Sequence, residues 1–154
     1  MSAPAKACVN NCPSSRHVPD IVRNLGIGCQ RYVEWLERQA QNCRTRDSKG
    51  ARRPIDEYRE AIHKAVLKSN GVDCYTGEPL EWNRLNHDKP MGGGQHNHRI
   101  RGRYPSVDHY YGVDRFQYRI CAGSVNHAKG ALSHQQFVAL CRKVAQHHSK
   151  WGQD

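Results

Sequence analysis

Apolar residues recur at helical spacing in the first half of the chain. From the adjacent Tyr32 and Val33, the apolar residues Leu36, Ala40 and Cys43 follow three or four positions apart with charges between them, which predicts one amphipathic helix from Cys29 to Cys43. Pro54 suits a first helical turn, Ile55, Tyr58, Ile62 and Val66 share a face, and Asn70-Gly71 is a stop, so residues 54–69 predict a second helix. Before these, residues 1–20 carry Pro4, Pro13 and Pro19 among Ser and Asn and read as irregular. Between them, residues 44–53 form a basic connection containing Gly and Ser.

After Gly71 the rhythm changes. Val72 to Leu80 is a short apolar piece running into turn residues, which predicts a strand entering a tight turn, and the sequence beyond Trp82 turns polar and Gly-rich through Gly94, as a flexible insertion or a long hairpin tip does. Arg99, Arg101 and Arg103 alternate with Ile100 and Gly102 in a strand-like way that puts the arginines on one face. Residues 104–109 and 117–122 predict two short strands joined by a turn containing Gly112 and Asp114. Ser124 is placed to cap a short helix over Val125 to Ala131. Ser133 and Gln136 have the spacing of a capping box, and Phe137, Leu140, Cys141 and Val144 then predict the buried face of a closing helix. The order of elements predicts an α+β fold: residues 1–71 an N-terminal irregular segment and helices bracing the rest, residues 72–154 the core with its C-terminal helix.

Charge narrows the partner. The 154 residues hold 24 Lys and Arg against 14 Asp and Glu, a formal charge of +10, and the surface potential should attract a polyanion, nucleic acid first. Only 37% of residues are hydrophobic, no apolar run approaches the roughly 20 residues that span a bilayer, and Met1 to Cys12 has no apolar signal core. No membrane association and a cytoplasmic location are therefore expected. The seven cysteines, at 8, 12, 29, 43, 74, 121 and 141, are odd in number and scattered, which predicts reduced thiols. Cys8, Cys12 and nearby His17 do not have common zinc-finger spacing, so a structural zinc is not expected.

Chemistry concentrates at Asp108-His109 and Asn126. Phosphodiester hydrolysis needs a base for water, a cation for the charge that builds on phosphorus and help for the leaving oxygen. The Asp108 carboxylate and the Asn126 amide oxygen are hard ligands suited to Mg²⁺ or Mn²⁺, and an unperturbed His109 would take a proton from water near neutrality. Adjacent strand residues point to opposite faces, so Asp108 and His109 can serve one phosphate only where the strand ends or bends.

The wider pattern is Cys74-Tyr75-Thr76-Gly77, then Pro105-Ser106-Val107-Asp108-His109, Ile120-Cys121 and Asn126-His127-Ala128-Lys129-Gly130, followed by the capped helix. It resembles the HNH endonucleases of the ββα-metal (His-Me finger) superfamily over residues 72–145, and the size and basic arm are similar to small phage or mobile-element members. The resemblance implies a metal-dependent DNA endonuclease with His109 as general base, Asp108 and Asn126 as ligands of a divalent metal, and Lys129 near the phosphate or supporting the helix. His127 is a rival for the third ligand. The family's middle Asn matches Gln117 by an ungapped count from Asn126, with Asp114 as the alternative. Arg99, Arg101, Arg103, Arg115 and Arg119 would supply phosphate contacts, and the location would be the host cytoplasm for a phage protein. Related readings are a branched-DNA resolvase acting as a homodimer and a catalytically silent nucleic-acid-binding protein.

Overall fold

The computed structural model describes residues 18–24, 27–47, 51–86, 102–112 and 115–150. Among these are α1 (Asp20–Asn24), α2 (Cys29–Arg46), α3 (Ile55–Ser69), a 3-10 helix at Trp82–Asn86, strands β1 (Pro105–His109) and β2 (Tyr118–Ala122), α4 (Gly123–Lys129) and α5 (His134–Ser149). The fold is mixed α+β. Arg99, Arg101, Asp114, Cys8 and Cys12 lie outside the described residues.

The apolar stripes read from the sequence become the core. α2 buries Tyr32, Trp35, Leu36, Ala40 and Cys43, and α3 buries Tyr58, Ile62, Ala65 and Val66 against it. α3 stops where Asn70 turns left-handed at φ 49°, followed by Gly71 at φ 82°, a helix end that Asn and Gly tolerate. The segment read as loop after Trp82 contributes more than expected. Trp82 and Leu85 of the 3-10 helix are buried, and the Trp82 ring meets Trp35 edge-on at 5.3 Å.

β1 and β2 pair antiparallel with Val107 opposite Ile120, Asp108 opposite Arg119 and His109 opposite Tyr118. Strand alternation divides this hairpin into two faces. Val107, Ile120, Tyr118 and Ala122 join the cluster built by α2 and α3, and the Trp35 indole donates to the Pro105 carbonyl at 3.3 Å. Ser106, Asp108 and Cys121 belong to the other face, which α4 covers. The hairpin is thus the middle layer between two helical layers.

Asp73 fixes the turn that precedes the hairpin in sequence. Only 1% exposed, its carboxylate accepts the main-chain N–H groups of Tyr75 at 2.6 Å, Thr76 at 2.9 Å and, across the fold, Ala122 at 2.5 Å. Val72 bridges Pro79, and Gly77 closes the turn at φ 73°.

Three expectations are corrected. Ser124 does not cap α4; its hydroxyl donates to the Gly102 carbonyl at 2.9 Å, and Ala122 stands at the N-cap. The Ser133–Gln136 capping box forms, but α5 buries none of its residues, and Leu140 and Val144 are 48% and 51% exposed. Amphipathic spacing gives a helix an apolar face without supplying the surface that covers it. Cys43, Cys74, Cys121 and Cys141 are free thiols as expected, whereas Cys29 is disulfide-bonded.

Asp73→Ala removes one acceptor from three main-chain donors, so it is expected to lower unfolding free energy by about 3 kcal/mol. Urea denaturation checks this; a loss under about 1 kcal/mol would show that the turn holds itself.

Candidate active site

Asp108 sits where β1, α4 and the 72–79 turn meet. Its Oδ1 accepts from Lys129 Nζ at 2.9 Å and its Oδ2 from the Tyr75 hydroxyl at 2.7 Å, with the Asp108 and Lys129 side chains both 2% exposed. Burial first, and the bond to Asp108 second, hold the Tyr75 hydroxyl well above the usual phenol range. It therefore stays a protonated donor at neutral pH. Lys129 also donates to the His109 carbonyl at 3.1 Å and so grips the end of β1 through two contacts.

One turn of helix earlier on α4, Asn126 spans the same hairpin face. Its amide nitrogen donates to Ser106 Oγ at 2.8 Å and to the Val107 carbonyl at 3.0 Å. Asp108, Asn126 and Lys129 are thus brought together, whereas His127 is on the exposed side of α4.

His109 goes the other way. It is the next residue on an intact strand, so its ring lies on the face of Val107 and Tyr118, packing against Tyr118 at 5.1 Å. Its Nε2 is 3.5 Å from Asp47 Oδ1 at the end of α2, near enough for attraction yet without a formed hydrogen bond. Asp47, 7% exposed, also accepts the Tyr58 hydroxyl. Burial first, then the Arg46 charge, lower the His109 pKa, with Asp47 opposing them.

Of the remaining sequence candidates, Arg115 and Gln117 are at the hairpin tip, Arg119 is within β2, and Arg103 precedes β1 at the opposite end. Gln117 holds the turn by its main chain, accepting from Tyr110 N–H at 3.2 Å and donating to the Arg115 carbonyl at 2.8 Å, while its side chain is exposed. Among the described residues its side-chain amide braces nothing. Arg115 and Arg119 lie over the rings of Tyr111 and Tyr110 at 5.7 and 5.2 Å. Arg103 is exposed and 3.6 Å from Glu81.

Sequence reasoning missed three residues. Asp47 was hidden in a segment read only as a basic connection. Tyr75 was quoted in the motif without a role. Asp73, followed by Thr76-Gly77, had the signature of a side chain bonding the main chain two residues on.

Asp108 and Asn126 have the hard oxygens that Mg²⁺ or Mn²⁺ prefers. As arranged, however, these residues do not fit a divalent ion, because both oxygens of the Asp108 carboxylate are engaged, one of them by an ammonium. His109 is on the far side of the sheet. Among the described residues no three His, Cys, Asp or Glu side chains converge as a metal-binding group.

Comparison of the chain with protein families, curated proteins and solved structures gives no match.

Two outcomes follow from this geometry. Lys129→Met leaves a buried carboxylate without its counter-charge and is expected to cost about 3–5 kcal/mol, whereas Asp108→Leu combined with Lys129→Met should recover most of it. Equal losses in single and double variants, measured by urea denaturation, would mean that the pair contributes only bulk. The second concerns pH. A folded pKa below the unfolded value of about 6.5 means that stability is complete above about pH 6.5 and lost as pH falls through the folded value. Wild type should therefore lose more stability than His109→Gln between pH 7.5 and 5, and parallel pH profiles would place the sensitivity elsewhere.

Proposed function

We propose that the protein is a nucleic-acid-directed endonuclease of HNH type, with residues 72–145 as its ββα-metal core and DNA as its substrate. The observation carrying this reading is the convergence of Asp108, Asn126 and Lys129 under a helix that follows two antiparallel strands. These are residue types, in the chain order, that the HNH resemblance assigns to acid ligand, amide ligand and phosphate-side cation. The net charge of +10 supports a polyanionic substrate. Arg115, Arg119 and Arg103 in the described part, with Arg99 and Arg101, supply the phosphate contacts in this reading.

Dependence on Mg²⁺, or Mn²⁺ in its place, belongs to the proposal, and the described arrangement sets a condition on it. For Asp108 and Asn126 to hold such an ion, Lys129 would have to leave Asp108, and His109 would have to reach the same phosphate from the opposite face of β1. Cutting consequently needs a side-chain arrangement other than the one described.

A second reading is favoured by that same observation: a nucleic-acid-binding protein without catalysis, in which Lys129 permanently neutralises Asp108 and His109 is a core residue. Branched-DNA resolution by a homodimer is a variant of the first reading.

The test incubates supercoiled plasmid, linear duplex, branched DNA and RNA with the protein in Mg²⁺, Mn²⁺ or EDTA. Cleavage in either ion and none in EDTA is expected, falling 10²- to 10⁴-fold in His109→Ala, whose DNA affinity should stay within a few-fold of wild type. Asp108→Ala and Asn126→Ala should also fail, with partial recovery at high Mn²⁺. Binding without cleavage under every condition would establish the silent reading; undiminished cutting by His109→Ala would remove the histidine from the mechanism.

A further inference from the structure

We propose that the groove between α3 and the tip of the β1–β2 hairpin binds unpaired nucleotides of a single-stranded nucleic acid. Binding here does not depend on catalysis, although Tyr110 and Arg119 of the groove lie beside the Asp108 face of the hairpin. The groove has a volume of about 370 Å³, within the range of small-molecule sites. Its walls combine two kinds of side chain. Tyr110, Tyr111 and Phe116 supply rings, and Lys64, Lys68 and Arg119 supply positive charge.

The local structure explains why the groove is open and basic. Along its α3 side, Ala61 and Ala65 alternate with Lys64 and Lys68, so the helix offers small side chains beside the rings and ammonium groups at the rim. Lys64 also meets Glu60 at 2.7 Å, but both side chains are well exposed, at 70% and 60%, and such a pair exchanges readily for a phosphate. Phe116 is held by Tyr58, their rings edge-on at 5.0 Å, and by the Arg53 guanidinium over its ring at 4.3 Å. Tyr111 is less encumbered, touching Tyr110 edge-on at 4.8 Å and lying beneath Arg115.

Rings next to cations fit bases joined by phosphates. Every base has a π-face for an aromatic side chain, and the backbone follows the positive rim. Charge complementarity disfavours a cationic occupant, since among the described residues the lining has three basic side chains and no carboxylate. A duplex keeps its base faces within the stack and offers the groove only phosphates. An acidic peptide matches the charge but leaves the rings unused.

The experiment measures binding in EDTA, where a metal-dependent nuclease reading plays no part, by fluorescence anisotropy of a labelled oligothymidine, an abasic strand of equal length and a duplex. Wild type should prefer oligothymidine to the abasic strand. Tyr111→Leu should weaken oligothymidine binding about 5- to 150-fold, leave the abasic strand and duplex unchanged, and keep the wild-type melting temperature, with Tyr111→Phe restoring affinity. Lys64→Gln with Lys68→Gln should weaken oligothymidine and abasic strands alike and flatten the salt slope by about 1.4. Equal wild-type affinity for oligothymidine and abasic strands, or Tyr111→Leu binding oligothymidine normally, would overturn the proposal, as would a loss that Tyr111→Phe does not restore. Equivalent binding of polyglutamate, with the same loss in Tyr111→Leu, would assign the groove to an acidic peptide instead.

Discussion

A carboxylate and an ammonium withdrawn together from water govern the arrangement of the second half of the chain. Placing Asp108 and Lys129 at 2% exposure costs several kcal/mol per ion in lost hydration, which only close pairing and further hydrogen bonds offset. Those bonds are present: Tyr75 donates to the second Asp108 oxygen, and Lys129 reaches the His109 carbonyl. The pair therefore joins three pieces that are distant in sequence. β1 supplies the acid, α4 the base and the 72–79 turn the phenol. Because neither charge tolerates being left alone, α4 cannot shift along the hairpin without breaking the pair, and Asn126 is held against Ser106 and Val107 as a consequence.

The same strand that seats Asp108 sends His109 to the opposite face. Period-two alternation is a hard geometric rule wherever β1 remains paired, and His109 is paired with Tyr118. Two buried polar clusters therefore lie back to back, one of Asp108, Lys129 and Tyr75, the other of His109, Asp47 and Tyr58. They differ in how well they are satisfied. The first has a formed hydrogen bond at each acid oxygen, whereas in the second the His109 Nε2 and the neighbouring Tyr118 hydroxyl are buried without partners. An incompletely satisfied cluster is the cheaper of the two to rearrange, since fewer good bonds are given up.

The sequence made the elements legible and the side-chain directions much less so. Periodicity marked α2 and α3, because each buries a continuous stripe, and the strands were placed within a residue of their ends. The short α1 escaped notice, as five residues give no period to read. α5 formed with its capping box, which is a local interaction, but its burial was misjudged, since burial depends on a partner surface that spacing does not reveal. At the site, grouping Asp108 with Asn126 was readable from strand–strand–helix order, and Lys129 from the HNH resemblance. Asp47 was not, because its role arises from a contact with His109 across 62 positions of chain, a separation at which no local pattern operates. Gln117 shows the same limit: its main chain does the work that its amide was expected to do.

Tyr110 belongs to two neighbourhoods at once. Its ring forms part of the groove beside α3, stacks on His134 at 4.2 Å and lies 6.0 Å from Tyr75, whose hydroxyl bonds Asp108. Its carbonyl accepts the His134 N–H at 2.9 Å, and Phe137 meets Tyr75 edge-on at 5.4 Å, so the start of α5 is anchored to the same aromatic group. This explains how α5 keeps its place although none of its residues is buried: one end is fastened by a ring cluster and a capping box, and the rest projects. The groove wall, the helix anchor and the donor to Asp108 are therefore not independent parts. In a densely packed interior a ring cannot be displaced without its neighbours adjusting, so a change in the Tyr110 position on the groove side must be taken up by His134 or by Tyr75, and Tyr75 reaches the buried acid.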